Sequence, residues 1–261
     1  MSLIGEKRKA YILNQLNAKG QVKTFELVQE LGVSAETIRR YLEELESEQR
    51  LKRKYGGAIK LNLGAEEPSY LKREVLNAEE KRRIGQAAAT LVEDNDIIFI
   101  DDGSTPLQMI EYLMDKGNLT VLTMSMPALH ALVEYQNKGL FTGEIYFIGG
   151  KVNSKHARVT GSIAEKMVSL FHVDKAFISI DGMVLDSGIT AFDAERGQLA
   201  SKIMENANTS IVMADNSKIG QVRLYKMADW RSIDVVICDA GIPSGWQKTL
   251  EKNGVTWIEA S

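Results

Sequence analysis

The sequence is poor in cysteine and has no long apolar run. Its single cysteine, Cys238, excludes a framework of intrachain disulfides and fits a reducing compartment. Because Cys238 lies in the apolar run VVIC, we expect a buried structural thiol. The apolar runs are far shorter than the ~20 residues that a membrane-spanning helix needs. The first residues also lack the apolar block of a signal peptide. We therefore expect a cytoplasmic protein with no membrane partner.

Sequence motifs of several enzyme classes are missing as well. There is no G-K-[ST] phosphate loop and no G-x-G-x-x-G fingerprint, so a bound nucleotide or dinucleotide is not expected. The three histidines, His130, His156 and His172, have neither metal-ligand spacing nor a nucleophile partner. The sequence therefore predicts no cofactor and no metal site.

The charge of the chain is unevenly distributed. The 261 residues carry a net charge of −3, which is ordinary for a globular protein of about two domains. Residues 1–60 hold 12 Lys and Arg against 8 Asp and Glu, a net of +4, which leaves 20 against 27, a net of −7, for the rest. A small basic segment before a larger acidic one suggests that the first binds nucleic acid.

The first fifty residues predict three helices. The first spans 7–18 and ends at Gly20, and Thr24 caps the second, which ends at Gly32. Ser34 caps a third helix, AETIRRYLEELESE, and a Gly-containing turn of this length is typical of a helix–turn–helix. The apolar stripe of the third helix recurs at i, i+4 and i+7 and consists of Ile38, Leu42 and Leu45.

Polar residues at the start of the third helix are candidates for DNA contact. They are Ser34, Glu36, Thr37, Arg39 and Arg40. The N-terminal end of a recognition helix enters the major groove, where Arg pairs with guanine and Ser or Thr reaches phosphates. The alternative is a solvated helix face whose arginines pair with Glu43 or Glu44.

A basic hairpin is predicted to follow the third helix. LKRKYGGAIKL reads as two strands joined by a turn at Gly56 and Gly57. Its basic residues are Lys52, Arg53 and Lys54 on the first arm and Lys60 on the second. Three helices and a basic hairpin predict a winged helix–turn–helix over residues 1–62.

The rest of the chain predicts a larger α/β domain. Residues 63–75 are polar and are predicted to be a linker, and residues 76–261 alternate apolar runs with helical patterns. The expected strands are 97–100, 119–122, 145–148, 176–180, 210–214, 235–238 and 255–258. Continuous apolar strands joined by helices predict a Rossmann-like parallel sheet, with ligand sites at the carboxyl ends of the strands. Lys81 and its neighbours Arg82 and Arg83 are expected to be solvated, with Arg83 a possible exception.

The stretch after the first of these strands is suited to a phosphate. Gly103 permits a close backbone approach, Ser104 and Thr105 offer hydroxyls, and Pro106 suits the first turn of a helix. The helix dipole would then add partial positive charge beneath a bound phosphate. The alternative is that these residues only form the turn that a strand end needs.

Two long stretches resemble the DeoR family of bacterial transcriptional regulators. VSAETIRRYLEELESEQRLKRKYGGA is similar to its winged helix–turn–helix, although Tyr41 stands where the family usually has Asp. DDGSTP, TMSMP, IGGKVN, VTGSIA, KAFISIDGM, SGIT and ADNSKIG are similar to its sensor domain, which has a sugar-phosphate-isomerase-like fold. Met124 replaces a usual Asn, and Asp102 a residue that is more often small. The resemblance covers nearly the whole chain.

The resemblance implies a set of effector-binding residues. They are Asp102, Gly103, Ser104, Thr105, Thr123, Ser125, Gly150, Arg158, Gly161, Asp181 and Lys218. The glycine and hydroxyl residues of 103–105 would hold a phosphate, and Lys218 would neutralise it. Lys52, Arg53 and Lys54 would contact operator DNA together with the third helix.

The function that follows is that of a transcriptional regulator and not of an enzyme. We expect a repressor of a carbohydrate-metabolism operon that binds operator double-stranded DNA as a homo-oligomer and responds to a phosphorylated sugar. The alternative is a sugar-phosphate isomerase or deaminase that uses a carboxylate base, with Lys218 stabilising the enediolate. The candidate bases are Asp101, Asp102, Asp181 and Asp215.

Overall fold

The structure is a computed structural model that describes residues 3–19, 21–47, 50–60 and 66–261. Several predicted features lie outside the described residues. They are the helix end at Gly20, the side chain of Lys60, the end of the predicted winged helix (61–62) and the start of the predicted linker (63–65). The chain forms two compact units. The first contains the elements up to the hairpin, and the second contains the elements from residue 66 onward.

The N-terminal unit is a winged helix. Its elements are α1 (Leu3–Lys19), β1 (Gln21–Lys23), α2 (Thr24–Leu31), α3 (Ala35–Ser47), β2 (Leu51–Lys54) and β3 (Gly57–Lys60). The strands form an antiparallel sheet in the order β1-β3-β2. The three predicted helices and the hairpin are confirmed. The three-residue strand β1 is not evident from the sequence, because it is too short for an alternating pattern.

Local signals set the ends of α2 and α3. Gly32 adopts the left-handed conformation, with φ of 60°, and its N–H bonds the Val28 carbonyl to end α2. The Ser34 hydroxyl accepts from the N–H of Thr37 at 3.2 Å, so it caps α3 as predicted. Thr24 was predicted as the cap of α2. It is instead the first residue of that helix, because Lys23 keeps the extended backbone of β1.

Tyr41 faces the core of the winged helix. It is 6% exposed and belongs to the same apolar cluster as Ile38, Leu42 and Leu45. Gly5 of α1 lies beside it, since a side-chain carbon at that position would be 3.7 Å from the Tyr41 hydroxyl. The departure from the family pattern therefore affects the packing of α3, and the Tyr41 ring also lies 5.7 Å from the guanidinium of Arg40 on the outer face.

The C-terminal unit is built on a seven-stranded sheet. The strands are β4 (Ile97–Ile100), β5 (Thr120–Thr123), β6 (Glu144–Phe147), β9 (Val173–Ser179), β12 (Ala207–Ala214), β14 (Val235–Cys238) and β15 (Thr256–Glu259). They pair in the order β15-β14-β12-β9-β4-β5-β6, and every pairing is parallel. All seven predicted strands are present, and the parallel α/β fold is confirmed.

Helices and smaller strands complete this unit. The α-helices are α4 (Tyr70–Val75), α5 (Ala78–Ala89), α6 (Met126–Asn137), α7 (Ser162–Val168), α8 (Ala194–Glu205) and α9 (Gln247–Lys252). Short 3-10 helices span Pro106–Leu113, Asn216–Lys218 and Trp230–Ser232. Two smaller antiparallel groups are the hairpin of β7 (Lys151–Asn153) with β8 (Arg158–Thr160), and the sheet of β10 (Gly182–Val184), β11 (Gly188–Ala191) and β13 (Tyr225–Ala228).

The central sheet is buried on both faces, which explains its continuous apolar strands. In β4, Phe99 joins one apolar cluster, whereas Ile98 and Ile100 join another. Neighbouring residues of a strand point to opposite faces, so two-sided burial requires an apolar residue at every position. Among the described residues, none of the helices combines the length and apolar character that a bilayer crossing requires.

Candidate functional site

The predicted DNA-contacting face of α3 is exposed. The side chains of Arg39 and Arg40 are 57% and 64% exposed, and that of Glu36 is 85% exposed. The Thr37 hydroxyl lies 2.9 Å from that of Ser34, so these two share one end of the helix. The apolar stripe turns inward, and the polar residues are therefore presented together on the outer surface of the unit.

The arginines of this face form only loose ion pairs. Arg39 Nη1 lies 3.4 Å from Glu36, and Arg40 Nε lies 3.9 Å from Glu44, one of the partners that the solvated-face alternative predicts. Exposed pairs of this kind contribute about 0–1 kcal/mol. They are therefore weak enough to be exchanged for contacts with a phosphate or a base.

The hairpin presents less free positive charge than its sequence suggests. Arg53 donates to the carboxylate of Glu43 at 2.6 Å, and its backbone N–H donates to Glu46 at 2.8 Å, so it is tied to α3. Lys54 donates to the side chain of Gln21, while Lys52 is half-buried in β2. Contact of these three residues with DNA remains a prediction, and for Arg53 it requires that the pair with Glu43 opens.

The loop after β4 is tightly packed. A side-chain carbon at Gly103 would lie 2.3 Å from the Ser179 hydroxyl, so only glycine fits beside β9. Ser104 and Thr105 are 4% and 6% exposed, and Pro106 begins a 3-10 helix in place of the predicted α-helix start. Gly103 was expected to let a ligand approach the backbone. Its lack of a side chain is also required by the close packing against β9.

Lys81 lies near this loop. Gly85 of α5 packs against Gln108 of the 3-10 helix, where a side-chain carbon would meet the Gln108 backbone at 2.5 Å. Lys81 lies four residues earlier on the same face of α5. Its ammonium and the Ser104 hydroxyl both donate to the carbonyl of Arg73. Lys81 was expected to be solvated but is 5% exposed, because this packing turns it inward.

Lys218 contributes to the same electrostatic environment. Burial lowers the pKa of Lys81 to about 8, and the charge of Lys218 acts in the same direction. Lys218 is the last residue of the 3-10 helix that follows β12. Burial raises the pKa of Asp215, but the charge of Lys218 and hydrogen bonds from Ser217 and Asn77 lower it below its ordinary value. We call Gly103, Ser104, Thr105, Lys81 and Lys218 the anion seat. As a candidate anion site, it combines the hydroxyls that follow β4 with the ammonium groups of Lys81 on α5 and Lys218 after β12.

A buried ion-pair network lies next to the loop and contains Arg158. This side chain is fully buried and binds both carboxylate oxygens of Glu67 at 2.8 Å. Its Nη1 also donates to Asp102 at 3.1 Å. Bidentate pairing of this kind is among the strongest of charge-assisted interactions.

Arg196 is the second cation of the network. It donates to Asp102 at 3.0 Å, and to Asp101 and the Ser179 carbonyl at 2.6 Å each. Its Nη1 lies 3.8 Å from Asp181, whose carboxylate accepts from the backbone N–H of Phe192.

The two adjacent carboxylates respond differently to this setting. Burial raises the pKa of Asp101 to about 6, against the charge of Arg196. Burial would also raise the pKa of Asp102, but the charges of Arg196, Arg158 and Arg73 hold it well below its usual range. Asp102 is therefore an ionised acceptor, and its predicted contact with a sugar hydroxyl would be made by a carboxylate that is already paired with Arg158 and Arg196.

Thr123 and Ser125 have local structural partners. The Thr123 hydroxyl donates to the carbonyl of Ile100 at 2.7 Å, and the Ser125 hydroxyl caps α6 by accepting from the N–H of Ala128. Met124 between them is fully buried in the core, so it does not take the place of a polar ligand contact. The backbone of Ser125 forms a bridge to Arg158, which places this loop beside the ion-pair network.

Gly150 and Gly161 flank the hairpin of β7 and β8. Both have positive φ, 156° and 92°, and a side-chain carbon at Gly150 would lie 2.8 Å from Val159. These glycines satisfy the geometry of the hairpin and of the start of α7. No contact in the described residues joins them to the anion seat, and their role in ligand binding remains a prediction.

Four residues of this region were not identified from the sequence as site residues. They are Glu67, Arg73, Lys81 and Arg196. The sequence gives one indication for Arg196. This residue lies in the first turn of α8, where the helix dipole disfavours a cation. Such a residue requires carboxylates nearby, and Asp101 and Asp102 supply them.

The chain combines a winged helix with a parallel α/β unit that has cations and hydroxyls at its strand ends. This combination defines a DNA-binding regulator with a sensor domain. Residues 8–62 match the DeoR-like helix-turn-helix domain, and residues 76–240 match the DeoR C terminal sensor domain. The chain belongs to the DeoR family of transcriptional regulators.

Full-length relatives are similar over almost the whole chain. The HTH-type transcriptional repressor GlcR of Bacillus subtilis is 33% identical over 96% of this chain and 94% of its own. The L-fucose operon activator of Haemophilus influenzae is 30% identical over 96% and 98%. The glycerol-3-phosphate regulon repressor of Escherichia coli is 28% identical over 92% of each chain. Among solved structures, ribose 5-phosphate isomerase A of Methanocaldococcus jannaschii is similar over 55% of each chain, with a TM-score of 0.39 and 18% identity.

Proposed function

We propose that this protein represses a carbohydrate-metabolism operon and releases its operator when a phosphorylated sugar binds the sensor unit. The observation that carries the proposal is the anion seat, where Lys81 and the Ser104 hydroxyl donate to the same carbonyl and the charge of Lys218 acts on Lys81. A phosphate dianion is the ligand that best matches two ammonium groups and hydroxyl donors. The names of the relatives, which include a glycerol-3-phosphate regulon repressor, support a phosphorylated metabolite as the effector.

A ligand in the anion seat changes operator binding only if its own affinity differs between the DNA-bound and the released arrangement of the protein. A ligand shifts the population toward operator release if it binds the released arrangement more tightly than the DNA-bound one. Operator half-sites usually mirror a two-fold axis of the protein, so we propose a homo-oligomer that works in the cytoplasm on double-stranded DNA. One relative is an operon activator, and effector-enhanced binding is thus the alternative direction of the response.

We propose no turnover of the sugar phosphate. A general base must be free to take a proton from the substrate. Asp102 is held by two arginines, and Asp215 accepts from Asn77 at 2.9 Å and from Ser217. Asp101 accepts through Oδ2 from Arg196 and Ser179, and Asp181 accepts from the N–H of Phe192. We therefore assign binding groups to the anion seat and a structural role to these four carboxylates.

The recognition face can be tested by removing its arginines singly. Arg39→Ala and Arg40→Ala are each expected to weaken operator binding by about 1–3 kcal/mol if the side chain reads a base. Fluorescence anisotropy on a labelled operator duplex at fixed salt measures this loss. Lys248→Ala, which removes an exposed cation from the C-terminal unit, is the control and should leave affinity unchanged. Wild-type affinity in both arginine variants would mean that another face of α3 meets DNA.

The lowered pKa of Lys81 predicts a pH dependence of anion binding. The group is charged below about pH 8 and neutral above it, whereas an unperturbed lysine stays charged to about pH 10. A phosphate monoester is already dianionic above about pH 7. The affinity for a sugar phosphate should therefore fall as the pH rises from 7 to 9. Calorimetric titration would measure this, and in Lys81→Met the pH dependence should be largely lost. An equal decline in both proteins would assign it to another group.

A further inference from the structure

The segment just before α5 covers the anion seat. Residues 66–77, which we call the strap, contain the short helix α4 and follow the winged helix closely in the sequence. The strap is held to the C-terminal unit by its backbone, since the Tyr70 N–H donates to the Lys155 carbonyl at 3.0 Å. The Tyr70 side chain is 8% exposed and fixes the start of α4.

The strap uses the donors that a phosphate would need. The carbonyl of Arg73 accepts from both the Ser104 hydroxyl and the Lys81 ammonium. The carbonyl of Leu76 accepts a second bond from Lys81 at 2.5 Å. These carbonyl oxygens carry partial negative charge, and they take up donor capacity of Ser104 and Lys81.

An ionic anchor holds the strap in this place. Glu67 is 7% exposed and binds Arg158 through both carboxylate oxygens, and within the strap it also contacts Nη1 of Arg73 at 3.1 Å. Glu67 thus acts as a carboxylate that the chain itself presents to a buried cationic site.

The closed strap leaves some polar groups unsatisfied. Nε and Nη2 of Arg73 and Nε of Arg158 are buried and have no hydrogen-bond partner within the described ranges. Unpaired buried donors cost free energy that is recovered when they meet an acceptor. Glu67 forms the buried ion pair of the closed arrangement with Arg158, and the unpaired donors leave this arrangement open to competition.

We propose that the strap is an internal competitor of the effector, and that an incoming phosphate displaces its carbonyl oxygens from Ser104 and Lys81. This inference rests on the proposed function of the same seat. The strap is the first described part of the C-terminal unit and follows the winged helix in the sequence, so its displacement would act on the segment that leads to the DNA-binding unit. The phosphate exchanges hydrogen bonds with the strap, and no covalent bond is made or broken.

The anchor supplies the test. In Glu67→Gln the negative charge that holds the strap on Arg158 is removed at nearly constant volume. If only a fraction of the molecules has an open strap, the apparent affinity for phosphate is reduced by that fraction. Opening the strap should therefore tighten the binding of inorganic phosphate roughly tenfold. Calorimetric titration of the full chain with inorganic phosphate measures this. Glu66→Gln is the matched control, because Glu66 is 87% exposed and pairs only at the surface with Lys155.

Hydrogen exchange of the peptide that contains Tyr70 reports on the strap directly. In the wild type this peptide should exchange slowly and become faster when phosphate is added. In Glu67→Gln it should exchange fast without phosphate, while peptides of β4 and β9 keep their protection and show that the sheet is intact.

Three outcomes would speak against the strap. Equal phosphate affinity in wild type and Glu67→Gln would retain the anion seat and overturn the competition. Weaker binding in Glu67→Gln would make the strap a part of the ligand site. If neither protein binds phosphate, the proposed anion seat fails, and the strap has nothing to compete with.

Discussion

Replacing Arg196 with methionine is expected to lower the free energy of unfolding of the C-terminal unit by about 3–5 kcal/mol, the usual cost of removing one partner of a buried ion pair. Arg196 is 1% exposed and bonds to Asp101 and Asp102. Methionine keeps much of the side-chain volume of arginine. It removes the positive charge that offsets the buried carboxylates of Asp101 and Asp102. Arg158 still pairs with Asp102, so Asp101 should account for most of the loss.

Urea denaturation followed by tryptophan fluorescence measures this loss without interference from the winged helix. The three tryptophans, Trp230, Trp246 and Trp257, all lie in the C-terminal unit. Arg231→Met, at an exposed position of the same unit, is the control and should change stability little. A loss below about 1 kcal/mol, the range of exposed ion pairs, would show that water reaches the network.

Replacing Lys218 with alanine is expected to abolish most of the response to the effector while leaving operator affinity unchanged. The substitution removes one of the two ammonium groups of the anion seat, and hydrogen bonds to charged groups are worth about 1.5–3 kcal/mol. The effector concentration needed for half-release of the operator should therefore rise roughly ten- to a hundred-fold. Anisotropy titration of the preformed complex with the sugar phosphate measures this midpoint.

The control for this experiment is Lys248→Ala, which removes the same charge from an exposed position on α9. It should leave both the operator affinity and the midpoint unchanged. An unaltered midpoint in Lys218→Ala would remove this residue from the effector site. A simultaneous loss of operator affinity would indicate a general effect on folding.

The strands of the large sheet could be predicted because their residues are apolar at consecutive positions. IIFI and VVIC became β4 and β14 with the expected bounds, since a strand covered on both faces is apolar at every position. The small sheet of β10, β11 and β13 was not predicted. Its strands have three or four residues each, and β13 pairs with β11 from a distant part of the sequence.

The site was predicted only in part, for a related reason. The loop of Gly103 to Thr105 and Lys218 follow strands directly, so their place at the sheet edge could be inferred from local sequence. The partners of the ion pairs could not be inferred in this way. Glu67 and Arg158 are 91 residues apart, and Asp102 and Arg196 are 94 apart. Glu67 lies in a polar stretch that resembles a linker, and only the fold brings its carboxylate to an arginine.

The most direct test of the central claim is anisotropy on a labelled duplex from the DNA upstream of the protein's own gene. The duplex is titrated with the full chain at fixed salt, since phosphate contacts make affinity salt-dependent. The complex is then challenged with sugar phosphates and with the same sugars lacking the phosphate. We predict sequence-specific binding that one sugar phosphate reverses and its unphosphorylated counterpart does not. Sequence-specific binding that no sugar phosphate alters would contradict the account of the anion seat.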